Sequence, residues 1–308
     1  MKKLHSSLYF LLMAGLILLG LSSCDKNNDT STPPARGTIT QIVSDSAAFS
    51  ILKAAVLKAG LADALGSGTL TVFAPDNDAF TAAGISASTI ESLPVTTLDS
   101  ILKYHVLGAA VPSSSVPASD TVKTLLGLNL YASKNTNGVF VNGIKVKTAD
   151  IPASNGVIHV IENVLMPPTK TIAGIAAGNP DFSLLVAAVT RAGLLDAISG
   201  PGKYTVFAPT NAAFQAAGFN TVDDINEAPQ DVITNVVKYH VLATNVFAGD
   251  LTEGATPTTI QGGTLTIGLS PGANVKVTGS SASAASITTA NIVATNGVVH
   301  VIDKVLMP

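Results

Sequence analysis

One cysteine in 308 residues, no tryptophan, and charged side chains at only 12% set the first limits on this chain. Because Cys24 stands alone, the rest of the chain has no disulfide and no thiolate metal site available to it. Without Trp, any reading that depends on sugar rings stacked against indole is weakened. Charge is about half the usual share, with Ala, Ser, Thr and Val in its place. Enzyme signatures are missing too. Gly202-Lys203 lacks both the earlier glycine and the following Ser/Thr of a phosphate-binding loop. No close acidic pair recurs as a glycosidase site in each half would favour. The chain reads as non-catalytic, with no cofactor implied.

What is present begins with the first residues. Lys2 and Lys3 precede an apolar run from Leu8 to Leu21, which ends in Leu21-Ser22-Ser23-Cys24. A basic start, a short apolar stretch and small residues before a cut describe a secretory leader rather than a spanning helix. Cysteine directly after Leu-Ser-Ser resembles the lipobox of bacterial lipoproteins, which implies acylation of Cys24 and removal of residues 1–23. The alternative is an ordinary leader with an incidental Cys24. Two or three acyl chains give stable anchoring where one is marginal. Residues 24–36 are polar and read as a tether, reaching at most ~40 Å. Once Lys2 and Lys3 are lost, 15 basic side chains face 20 acidic ones, a formal charge of −5. That argues against nucleic acid or an anionic bilayer as an electrostatic partner, leaving the lipid anchor as the membrane contact.

Beyond the tether the same text is written twice. Thr71-Val72-Phe73-Ala74-Pro75 returns as Thr205-Val206-Phe207-Ala208-Pro209, and Lys103-Tyr104-His105-Val106-Leu107 as Lys238-Tyr239-His240-Val241-Leu242. Asn155-Gly156-Val157-Ile158-His159 returns as Asn296-Gly297-Val298-Val299-His300, and both copies close on Val-Leu-Met-Pro. The offsets are 134, 135 and 141 residues, far above the ~20–50 of a solenoid. Two related domains in tandem are expected, residues 37–168 and 169–308, joined by the short, proline-stiffened Met166-Pro167-Pro168-Thr169-Lys170.

Each copy reads as helices followed by strands. Phe49, Leu52, Val56 and Ala59 share a helical face closed by Gly60, with Ser44 or Asp45 as the expected N-cap. The second copy has Pro180 at the start and Gly193 past the end, as helix asymmetry favours. A strand from Leu70 to Ala74 stops at Pro75, and Asp76-Asn77-Asp78 suits a cap for the next short helix. A longer helix leads to Tyr104-His105. Strand patterning follows, punctuated by the hairpin signals Asn142-Gly143 and Asn155-Gly156. The class is α+β.

The Thr-Val-Phe-Ala-Pro-x-Asn-x-Ala-Phe segment, the Tyr-His pair and Asn-Gly-Val-(Ile/Val)-His-Val-Ile-(Asp/Glu), each present twice, resemble the fasciclin domain. The resemblance implies a β-sandwich or antiparallel sheet with a helical layer in each copy, and non-enzymatic roles in adhesion and matrix binding. It also passes the receptor-binding association of the Tyr-His segment to Tyr104, His105, Tyr239 and His240. The residues themselves point to packing for the histidines: His159, and likewise its counterpart His300, lies in an almost wholly apolar strand and needs one donor and one acceptor there. Asn77 and Asn211 suit structural caps, and the loop they open is a second candidate contact surface. A two-His-one-carboxylate metal set is numerically available from Asp63/Asp196 and Glu162/Asp303, but the His separations of 54 and 60 residues offer no ligand spacing, so no metal is expected.

The expectation is a lipid-anchored binding or adhesion module of the bacterial cell envelope, at the outer membrane or cell surface, recognising a protein or polysaccharide matrix partner. A periplasmic scaffold or accessory lipoprotein is the alternative, and a small-molecule or metal-binding module the third reading.

Overall fold

Each copy of the repeat builds its own sheet, and neither sheet borrows a strand from the other. The structure is a computed structural model and describes residues 36–270, 274–279 and 284–308. The leader, Cys24 and the tether up to Ala35 lie outside those residues. Residues 36–308 form one compact unit.

In the first copy the strands are β1 (Leu70–Pro75), β2 (Val106–Leu107), β3 (Ser119–Lys123), β4 (Asn129–Asn135), β5 (Gly138–Val141), β6 (Ile144–Ala153) and β7 (Gly156–Ile161). They lie in the order β2-β1-β7-β6-β5-β4-β3. The second copy has β8 (Tyr204–Pro209), β9 (Val241–Leu242), β10 (Thr266–Ser270), β11 (Asn274–Thr278), β12 (Ala284–Ala294) and β13 (Gly297–Ile302), in the order β10-β11-β12-β13-β8-β9. The α+β class holds, with one pairing in each sheet that alternation alone does not reveal. The strands β1 and β7 run parallel, as do β8 and β13, while the other pairs are antiparallel. A parallel pair needs a long crossover, and the helices between β1 and β7 lie within it.

The central pair is covered on both faces, which explains its nearly unbroken apolar text. On one side, Val72, Ala74, Ile158 and Val160 meet the helices through Ile39, Leu52, Val56 and Leu98. On the other, Phe73 and Ile161 join Tyr104, Leu130, Val141 and Leu165. The second copy repeats both clusters, and none of the four mixes residues of the two copies.

Ser44 and Asp45, expected to cap the helix carrying Phe49 to Ala59, instead close an earlier helix. The first helix spans Ile39–Asp45 and begins on Thr38, whose hydroxyl accepts from Gln41 N–H while the Gln41 side chain answers the Thr38 N–H. Ser46 then takes an extended backbone and separates this helix from the one at Ser50–Ala59. Gly60 and Gly193 do end their helical runs in the left-handed region, at φ 68° and 65°.

Asn155-Gly156 turns the chain between β6 and β7 and also holds the helical layer. Asn155 Oδ1 accepts the Ile39 N–H at 2.9 Å and its Nδ2 donates to Leu65 O at 3.0 Å. Asn296 treats Ile172 N–H and Ile198 O the same way. Gly156 sits at φ 149°, where a Cβ would lie 1.9 Å from Leu70 O. Gly156→Ala is therefore expected to destabilise the first copy by several kcal/mol, because β7 cannot reach β1 without backbone displacement. Urea unfolding monitored by circular dichroism checks this, and a change under 1 kcal/mol would contradict it.

Candidate functional site

The Tyr-His pair ends a helix in each copy, Val95–Tyr104 and Gln230–Tyr239, with His105 and His240 as C-caps. His105 Nδ1–H donates to Ile101 O at 2.8 Å, and its Nε2 accepts the Leu165 N–H at 2.9 Å. His240 makes the same two bonds to Val236 O and Leu306 N–H. Burial strips both rings of water and depresses their pKa from 6.5 to about 4, partly opposed by the carbonyls they serve. Tyr104 donates to Asn129 O and accepts from Asn142 Nδ2, and burial pushes its hydroxyl up to about 12. Tyr239 donates to Thr264 O. The exposures are 0% for both tyrosines and 3% for both histidines. The receptor-binding association thus falls on side chains that present no surface here.

His159 and His300 occupy the centre of their sheets, stacked on Phe73 and Phe207 at ring distances of 5.5 and 5.6 Å. His159 Nε2–H donates to Val111 O, and Nδ1 accepts from Asp150 N–H at 3.2 Å. His300 bonds Val246 O and Asn291 N–H in the same pattern, and burial lowers its pKa. Asp150 and Asn291 sit at positive φ, 61° each, where the long strands β6 and β12 slip register. The bulge side chain then reaches the next turn. Asp150 accepts from Ser113 N–H and Oγ–H, which lowers its pKa, while Asn291 accepts from Ala248 N–H. Ser113, Asp150 and His159 are thus neighbours, but the serine bonds the carboxylate and the imidazole takes a backbone N–H. The imidazole does not face the hydroxyl, so the three are not arranged as a Ser-His-Asp relay.

Asn77 and Asn211 reach across to a neighbouring helix rather than capping their own. Asn77 Oδ1 accepts the Ile51 N–H and its Nδ2 donates to Ala47 O. Asn211 does the same with Leu184 N–H and Pro180 O. The caps of the following helices are Asp76 and Thr210. In the adjoining loop Asp76 is also paired with Lys147 at 2.8 Å, while Asp78 is largely exposed. Among the described residues no cluster of three or more His, Cys, Asp or Glu could hold a metal ion.

The residues that sequence reasoning missed form the seam between the copies. The turn at Ala248–Asp250 packs on the β4–β5 hairpin. Ser133 donates to the Asp250 carboxylate, Asn135 Nδ2 donates to Gly249 O at 2.7 Å, and Tyr131 lies 5.0 Å from Phe247, ring to ring. Burial raises the pKa of Asp250, opposed by Ser133 and the Phe247 N–H. Two glycines permit the approach: a Cβ on Gly249 would lie 2.6 Å from Phe140 Cδ1, and one on Gly143 2.7 Å from Asn291 Nδ2. The signal in the text was divergence. Phe247-Ala248-Gly249-Asp250 stands where the first copy has Pro112-Ser113-Ser114-Ser115. Beside the seam lie two grooves, one of about 220 Å³ walled by both copies and one of about 510 Å³ under the Met166–Lys170 linker.

The duplicated architecture has known counterparts. The family model described as "Fasciclin domain" matches residues 47–167 and again 180–308. The chain belongs to the fasciclin domain family. Among fasciclin proteins, it is 31% identical over 248 residues to transforming growth factor-beta-induced protein ig-h3 of Sus scrofa, covering 79% of this chain and 35% of that protein. Protein sll1483 of Synechocystis is 37% identical over 150 residues, 48% of this chain and 79% of its own. The chain thus spans about a third of the length of the ig-h3 relative. A solved fasciclin domain pair from the insect cell adhesion molecule Fasciclin I aligns with TM-score 0.42 and 17% identity, over 82% of this chain and 95% of the other.

Two predictions follow from these contacts. The unfolded imidazoles take a proton near 6.5 and the folded ones only near about 4, so the unfolded state binds more protons between those values. Stability contributed by His105 and His240 is complete above pH 6.5 and is lost as pH falls toward 4, about 3 kcal/mol each. Ring NMR titration should find both imidazoles neutral at pH 5 in the folded chain, and protonation at pH 6 would contradict this. For the seam, Gly249→Val forces a side chain into the Phe140 ring and should cost about 1–3 kcal/mol. Small-angle scattering should then report a larger radius of gyration with unchanged circular dichroism. An unchanged radius would mean that the seam does not set the arrangement.

Proposed function

We propose that this chain is a lipid-anchored, non-catalytic binding module of the bacterial cell envelope, made of fasciclin-like domains at 37–168 and 169–308. The observation that carries the reading is the use of every duplicated histidine. All four bond backbone at both ring nitrogens, which leaves no imidazole among the described residues for acid–base work or metal ligation. What remains for function is surface: loops and sheet edges on a rigid scaffold. The Leu21-Ser22-Ser23-Cys24 segment supports attachment through Cys24, at the outer membrane or cell surface. The partner in this reading is a protein or polysaccharide of the matrix, engaged with the gain in effective concentration that two linked domains provide. The Tyr104-His105 and Tyr239-His240 pairs act in it by shaping the surface from below.

The test joins location to attachment. Cys24→Ser should abolish incorporation of labelled palmitate and move the protein out of the membrane fraction. Protease shaving of intact cells should release the wild-type domains, and deletion should reduce binding of cells to matrix or to one another. A chain that resists shaving, or a deletion strain that attaches normally, would point instead to a scaffold inside the envelope.

A further inference from the structure

The groove walled by both copies differs in character from the rest of a chain that is poor in charge. Lys123, at the end of β3, and Lys203, just before β8, both line it and both are exposed. They come from different copies, so the pair exists only because the copies are docked. No carboxylate lines the groove, and neither lysine has an ion-pair partner among the described residues. The equivalent positions are uncharged. Tyr104 to Asn129 O matches Tyr239 to Thr264 O, and Thr124 to Leu128 O matches Thr259 to Gly263 O, which places Thr258 opposite Lys123. Gly68-Thr69-Leu70-Thr71 against Gly202-Lys203-Tyr204-Thr205 places Thr69 opposite Lys203. Neither lysine is therefore part of what the repeat needs in order to fold.

The remaining polar wall is neutral. It includes Thr121, Asn129, Asn245 and Thr295. Thr121 Oγ1 and Asn245 Oδ1, one from each copy, are buried without a hydrogen-bond partner. Such groups cost about 1–3 kcal/mol each unless satisfied. The volume of about 220 Å³ lies below the ~300 Å³ at which drug-sized pockets begin, so the occupant is small. Tyr131 and Phe247 also line the groove, but their rings are packed on one another, which leaves recognition to charge and hydrogen bonds.

We propose that this inter-copy groove binds a small polyhydroxylated carboxylate of the sugar-acid type, its anionic group held between Lys123 and Lys203 and its hydroxyls met by the Thr and Asn wall. A free sugar acid and an acidic sugar residue in a polysaccharide share this chemistry. The inference rests on the binding-module reading only in that no reaction occurs at the ligand. The groove and cell attachment are assayed separately, so either can fail alone.

Isothermal titration of the full chain in detergent, with sodium glucuronate, glucose and a glucuronate-containing oligosaccharide, tests it. One site per chain is expected for glucuronate or for the oligosaccharide, weakened by added salt, with glucose at least about tenfold weaker. Tighter binding of the monomer assigns the free acid as the source, and tighter binding of the oligosaccharide assigns the polymer. Lys123→Gln and Lys203→Gln should each weaken binding about tenfold, and together abolish it. Lys304→Gln, exposed and outside the groove, controls for net charge and should change nothing. Silence from both acidic ligands, equal binding of glucose, or affinity that survives the double substitution overturns the proposal.

Discussion

An imidazole sealed inside the central strand of each sheet ties the surrounding segments together. His159 and His300 each join three separate segments: the strand they sit on, the bulge that delivers an N–H to Nδ1, and the carbonyl of Val111 or Val246 that takes the Nε2 proton. A buried ring nitrogen left unpaired would be costly, so these partners must be in place together. Their placement makes β6 and β12 bend at their bulges, which lets each long strand serve both the helix-covered half of its sheet and the curled hairpin half. It also sets the start of the turn that follows Val111 or Val246.

That turn is where the two copies part company. In the first copy Asp150 holds it through Ser113. In the second, Asn291 holds Ala248, and the same turn becomes the element that docks on the β4–β5 hairpin. The interface is heterologous, turn of one copy against hairpin of the other, so it does not close on itself. The first copy has Ser114 where Gly249 lets Phe140 approach, and Ser115 where Asp250 accepts from Ser133. The chemistry of the seam is therefore not offered a second time by the first copy's turn. Tyr104 belongs to this story as well, because its bond to Asn142 ties the helix end to the β5–β6 turn, at the open end of the docking hairpin. Its burial is compatible with an influence on surface that does not require the phenol to touch a partner.

Much of the fold was legible because its strongest signals are local. Gly60 and Gly193 ended helices as read, since only glycine enters the left-handed region there without strain. Asn142-Gly143 turned a hairpin for the same reason. The start of the helix carrying Phe49 to Ala59 was misplaced because Ser44 and Asp45, cap-type residues by identity, end an earlier helix that Thr38 caps, and the helical turn resumes only past Ser46. The parallel pairing of β1 with β7 could not be read from alternation, because a strand buried on both faces has none.

The two fasciclin repeats, their α+β class, the helix stops and hairpin turns, and the apolar text of the central strands were all determined by residue order alone, because each rests on backbone sterics or on hydrophobic period. Which side chains face water was decided only in three dimensions. Tyr104 and Tyr239 went inside beside histidines already read as packing residues, Asn77 and Asn211 capped a neighbouring helix, and Lys123 and Lys203 came to share one groove. The physical reason is that docking one copy on the other depends on close approach at Gly143 and Gly249, a fact about distance between segments that no spacing along the chain encodes.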